Sequence, residues 1–197
     1  SGEALAALKP DMTSQVAVQT LLGGGHVQDA LKLLARLLPK RYAVAWLCQC
    51  ARGETLGPED RAGASLAEKW VRDPSETNRR AAFEFANAGG YKSCGTWLAA
   101  AAGWSGGSLA PASQQTPVPP AEFLTARAAV AAANLLAAMV EDKFDERRLG
   151  YIQHAMTLLA SGDSAAPLSR RKASASGSTS SMRSTSGGRF SSMTLSR

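Results

Sequence analysis

The side chains able to do chemistry are few and stand apart. His26 and His154 are the two histidines, and Cys48, Cys50 and Cys94 are the three cysteines. His26 followed by Asp29 has the outline of an oriented base, but spacing fixes no nucleophile beside the pair, and a histidine at a helix start is the expectation. Gly23-Gly24-Gly25 ahead of a helix could offer backbone N–H groups to a phosphate. The Gly-Lys-Ser/Thr ending of a phosphate loop is missing, however, and the triplet reads as an interhelical turn. Glu141-Asp142 and Asp145-Glu146 could form an acid/base pair only where a pocket separates their pKa values. Lys143, Arg147 and Arg148 among them imply a solvated, mutually neutralising turn instead. Ser105 and Ser108 around Gly106-Gly107 do not make a Gly-x-Ser-x-Gly elbow. No catalytic residue is nominated, and the expectation is a protein that is not an enzyme.

Cys48 and Cys50 lie two apart on a helix and face different sides, which supports neither a local disulfide nor a zinc site. A four-ligand site would want a second close pair, or histidines at helical spacing. No metal or cofactor is expected, and reduced packing thiols point to a reducing compartment. No basic-then-apolar signal peptide is visible at the start, which is Ser1-Gly2 without Met. The most apolar run, Ala128 to Val140, is 13 residues long, short of the roughly 20 a bilayer requires. The expected location is the cytoplasm.

The elements that must position these residues are helices. Of 197 residues 45% are apolar and 19% charged, and Ala takes 37 positions and Leu 22, against eight Val and one Ile. Such a composition favours helices and excludes an all-β fold. Ala buries little surface, so the Leu residues, four Trp and five Phe must anchor the core. Apolar spacing and punctuation predict eight helices: near Ser14 to Leu22 with Ser14 as N-cap; from Val27 through Leu38 to Pro39; around Trp46 and Leu47 up to Gly53; from Pro58 through Trp70; from an Asp73 cap, with Pro74 at the first helical position, to Gly89-Gly90; from Ser93 through Trp97 and Leu98 to Gly106-Gly107; about Glu122 to Asp142; and a last one carrying Leu149, Ile152, Met156 and Leu159 to Gly162. The seventh is apolar nearly all round and is expected at the centre. The fold class is thus all-α, a compact bundle of about eight short helices over residues 1–162, with an irregular Gly/Pro-rich connection at 105–121.

Residues 163–197 form a different regime, with 12 Ser among 35 residues, and are expected to be a flexible, disordered tail. Charge follows the same division. Residues 1–162 carry 16 Lys or Arg against 15 Asp or Glu, while the tail carries six against Asp163 alone, so the overall +6 is mostly the tail's. A basic tail with Arg170, Arg171, Lys172, Arg183 and Arg189 could hold an anion or nucleic acid, although the near-neutral body makes nucleic acid a weak expectation. Arg79-Arg80, with Lys69 and Arg72 upstream, suggest a modest basic patch, with plain solvation the simpler reading.

Three stretches carry a resemblance. Leu38 to Trp46 reads LPKRYAVAW, Trp70 to Ala82 reads WVRDPSETNRRAA, and Trp97 is followed by Ala102 to Pro111, AGWSGGSLAP. Over roughly residues 25–161 the chain resembles an uncharacterised bacterial family of small Ala-rich helical proteins encoded near type VI secretion accessory genes. The resemblance transfers no catalytic residue. It implies a cytoplasmic adaptor or chaperone-like accessory protein whose partner is another protein, such as a secreted effector or spike component; an immunity protein that blocks a toxin is a variant of the same reading. The most irregular part of the body is the candidate partner face: Trp104, Ser105, Gly106, Gly107, Leu109, Pro111, Pro117 and Pro119. The simpler account of the same residues is that Trp97 and Trp104 anchor the core and the glycines cap a helix.

Overall fold

The computed structural model describes residues 1–111 and 113–161, and the chain there is all-α. In order the helices are α1 (Gly2–Ala6), α2 (Ser14–Gly23), α3 (Val27–Leu37), α4 (Lys40–Arg52), α5 (Pro58–Arg72), α6 (Glu76–Ala88), α7 (Cys94–Gly103), α8 (Leu124–Ala138) and α9 (Phe144–Ser161), with a 3₁₀ turn at Glu141–Lys143. The five-residue α1, capped by the Ser1 hydroxyl, has no counterpart in the sequence reading. Among the described residues no helix is long and apolar enough to cross a membrane. The tail expected to be disordered, 163–197, lies outside the described residues.

Two helix starts shift by a residue or two for identifiable reasons. Thr13, not Ser14, caps α2, its hydroxyl accepting from the Val16 N–H at 3.3 Å, while Ser14 turns inward and is buried. Asp73 ends α5 instead of opening α6: its N–H donates to the Lys69 carbonyl, and its extended backbone (φ −131°, ψ 94°) is what a following proline favours. Ser75 is the N-cap of α6, and Asp73 braces it, its carboxylate accepting from the Ser75 hydroxyl at 3.2 Å and from the Asn78 amide at 2.8 Å.

The central helix is α7. Every residue of it except Trp97 is buried, and it packs against α4, α5, α6 and α8. The expectation that the seventh predicted helix holds the centre fails: α8 is shorter than anticipated and leaves Leu135 at its surface, with Met139 just beyond it also exposed. Small side chains explain the difference. A β-carbon on Gly63 of α5 would lie 2.1 Å from the Gly95 carbonyl oxygen, and one on Gly95 would lie 2.4 Å from the Asp60 α-carbon, so α5 and α7 touch backbone to backbone. Four consecutive alanines, Ala99–Ala102, are fully buried, and a β-carbon on Gly103 would lie 2.6 Å from the Phe83 α-carbon of α6. Around this thin axis the bulk is supplied by Trp46, Leu21, Leu31, Leu34, Leu47, Leu98, Leu136 and Ile152, all fully buried and each contributing on the order of 1.5–3 kcal/mol.

α9 closes the bundle with Ile152, Ala155 and Leu159 inward. Leu149, expected on that stripe, is exposed, because the first turn of the inward face is occupied by arginines. Arg147 pairs with Glu54, just beyond α4, and donates to the Leu136 carbonyl and the Tyr151 hydroxyl. Arg148 lies over the Phe144 ring at 4.6 Å and donates to Gln28 of α3. The solvated turn expected at 141–148 is therefore solvated at its acidic residues and Lys143, while both arginines fold back onto the body.

Candidate functional site

A helix ends with carbonyls that lack intrahelical partners and a partial negative charge. At the C-terminus of α7 those demands are met by Arg79 of α6, whose side chain is 3% exposed. Its Nη1 donates to the Gly103 carbonyl at 2.5 Å and its Nη2 to the Ser108 carbonyl at 3.1 Å. Nε and Nη2 each reach a Glu76 carboxylate oxygen at 2.6 Å, across the i,i+3 spacing that brings residues onto one helix face. A buried guanidinium is tolerated only when its donors are engaged in this way. In return Arg79, with Arg80 adding to it, holds the Glu76 carboxyl below the ordinary carboxylate range. The opposite end of α7 is treated with the opposite sign: Asp60 accepts from the Gly95 N–H at 2.5 Å, and Ser93 and Thr96 form a capping box.

Arg79 and Arg80 thus do not form the solvated basic patch suggested by their sequence. They tie down the connection that follows α7. Arg80 donates to the Ala110 carbonyl at 2.7 Å and lies 5.8 Å from the Phe83 ring centre. Gly107, at φ +63°, rests its backbone on the Arg79–Glu76 pair; a β-carbon there would sit 2.5 Å from Arg79 Nε. The Ser108 hydroxyl accepts from the N–H groups of Ala110 (3.1 Å) and Val118 (2.9 Å), and the Leu109 N–H donates to the Val118 carbonyl at 2.8 Å. These bonds draw the two ends of the connection together. Between them Pro111, residues 113–116 and Pro117 are exposed; Val118 and the Pro119 that follows it are exposed too, and Leu109 is half-buried.

Trp104 is turned inward. α7 stops at Gly103, three residues before the Gly106-Gly107 end that was expected, and Trp104 packs with Trp97 and Tyr91 at ring-centre distances of 5.9 and 5.2 Å. Tyr91 holds a left-handed backbone, φ +58°, directly after Gly90 at +61°. Such a conformation costs a non-glycine residue about 1–3 kcal/mol and persists only where neighbours impose it. Here the aromatic trio and the bond from the Tyr91 N–H to the Ala86 carbonyl impose it. Burial pushes the Tyr91 hydroxyl pKa up. Of the nominated residues, then, Trp104, Ser105 and Gly106 belong to the half-buried base of the connection, Gly107 and Leu109 to its hinge, and the three prolines to its tip. Glu76, Arg79, Tyr91 and Ser108 are not among the residues expected at the partner face, although the Glu-x-x-Arg spacing on α6 is visible in the sequence.

A family model described as a family of unknown function, DUF6931, matches residues 17–159. The chain belongs to that family. The match runs from early α2 to near the end of α9 and takes in the connection above. Comparisons with curated proteins and with solved structures returned no match. In this DUF6931 chain, Cys48, Cys50 and Cys94 are free and buried, and burial pushes each thiol up to about 12. Asp29 pairs with Lys32 at 3.6 Å and with the Ser1 amine at 3.0 Å, both cations. Among the described residues no three His, Cys, Asp or Glu side chains gather at distances that would hold a metal. Arg170, Arg171, Lys172, Arg183 and Arg189 lie outside both the family match and the described residues.

Proposed function

We propose that the chain is a non-enzymatic protein-interaction module, an adaptor or chaperone-like accessory protein of bacterial type VI secretion that works in the cytoplasm and holds an effector or spike component. The secretion context rests on the sequence resemblance alone. The interaction reading is carried by one observation: an exposed, proline-rich tip, residues 111 and 113–119, is clamped at its base by Ser108, Arg79 and Arg80. Fixing both ends of a loop lowers the conformational entropy it has left to lose to a partner, and prolines within it lower that further. Display of this kind favours recognition, where a loop made only to connect α7 with α8 could be shorter and looser.

The test is crosslinking with mass spectrometry in the source bacterium, using a photoreactive residue in place of Val118. One stoichiometric protein partner is expected. Replacing residues 112–117 by a short Gly-Ser linker, which keeps Ser108 and Val118, should abolish the crosslink and leave thermal unfolding within about 2 °C, less than 1 kcal/mol for a domain of this size. An uncrosslinked monomer in the intact chain would remove the proposal.

A further inference from the structure

α3 and α8 run antiparallel. Gln28 and Asn134 meet at one end, 3.4 Å apart, and from there the two helices open an elongated groove of about 680 Å³. Its floor is apolar, built from Leu33 of α3 and Val130 with two alanines of α8, and exposed Phe123 stands at its far end. Three cations rim it: Lys32 and Arg36, one turn apart on α3, and Arg127 on α8. All three are exposed.

What sets this rim apart is its place beside an open apolar floor, since other exposed arginines, such as Arg41 and Arg61, bond only to backbone carbonyls among the described residues. Arg52, Arg79, Arg147 and Arg148 each have a carboxylate of this chain within salt-bridge distance. Among the described residues Arg36 and Arg127 have none; Arg127 lies only over the Phe123 ring, at 5.8 Å. Lys32 has Asp29 at 3.6 Å. A low, apolar surface beside such cations strengthens their attraction for an incoming carboxylate.

The sign of the rim selects the occupant. The chain's own residues 163–197 carry six Lys or Arg against one Asp and would be repelled. A second copy placed on this face by two-fold symmetry would bring the same cations against one another. We propose that the α3–α8 groove docks an acidic amphipathic helix of a partner protein, its apolar face on Leu33 and Val130 and its carboxylates on Lys32, Arg36 and Arg127. An open trough two turns long between helices matches the helix-in-groove mode, in which side chains at i, i+3, i+4 and i+7 make the contact. The proposal rests on the interaction-module reading above, but uses a set of residues separate from the proline-rich tip.

The test titrates the full chain with two synthetic 18-residue helices that share one Leu face and carry either Glu or Lys on its flanks, read by fluorescence anisotropy. The Glu helix is expected to bind at least tenfold more tightly. The double variant Arg36→Glu/Arg127→Glu should lose that preference, with unchanged circular dichroism. Equal binding of the two helices overturns the proposal. So does a Glu preference that survives in the double variant, since attraction by residues 163–197 would then account for it. The linker-replaced chain separates the two readings: lost partner crosslinks with retained Glu-helix binding sustain both, whereas retained crosslinks there sink the loop reading alone.

Discussion

The C-terminal end of α7 and the α3–α8 groove are built from the same kinds of residue, alanine and larger aliphatics beside arginine, and they end in opposite states. At α7 the apolar surface is covered on every side, and the arginine is satisfied by a carboxylate and two carbonyls of its own chain. At the groove the apolar floor is open and two arginines find no carboxylate among the described residues. On the docking proposal, the first is a surface the chain needs for itself and the second is one it leaves for a partner. Where charge closes internally, substitution should cost stability; where charge is left over, substitution should cost binding.

The sharpest way to break the contrast is Arg79→Met. Removing the buried guanidinium strands the Gly103 and Ser108 carbonyls and leaves the exposed Glu76 with Arg80 alone, 4.0 Å away, and a loss of about 3–4 kcal/mol in urea unfolding, mostly from the two carbonyls, is expected. A loss below about 1 kcal/mol would place Arg79 among the dispensable cations. Gly95→Ala comes next, at about 3 kcal/mol, because its β-carbon meets the Asp60 backbone, which cannot yield as a flexible side chain would.

Acid provides a gentler probe. The folded Glu76 pKa lies below its ordinary 4.5, so the stability it contributes is fully present above that pH and is lost as pH falls through the folded value. Unfolding measured from pH 6 down to pH 3 should therefore show an acid limb that is shallower in Arg79→Met. The effect is small because the Glu76 side chain is 58% exposed and solvent screens it. Smallest of all, the Arg36→Glu/Arg127→Glu variant should unfold within about 0.5 kcal/mol of the parent. A larger destabilisation would show that the groove's cations support the fold.

Most helices were legible because their signals are local. The stripe of Ala30, Leu31, Leu34 and Leu37, ended by Pro39, is complete within α3, and Ser93 announces α7 through a capping box only four residues long. α7's position was not legible. A run of Gly, Cys and Ala has no wide apolar face to orient it, and residues this small fit a centre or a surface equally well by pattern. Arg79 was misread for a related reason. An arginine in Arg-Arg looks solvated until the carbonyls that need it arrive from 24 and 29 positions away. By sequence the nominated residues 104–119 form one irregular stretch, and only the fold divided it into an inward base at Trp104 and an outward tip at the prolines.

The sequence by itself determined an all-helical body, the turns that punctuate it and a basic segment at its end, because backbone propensity, capping and apolar period act over one or two helical turns. Tertiary structure alone decided which helix became the axis, which arginines were buried, and where a groove remained. Those outcomes depend on how closely backbones can approach and on which charges meet across distant segments, and no short window of residues contains both partners.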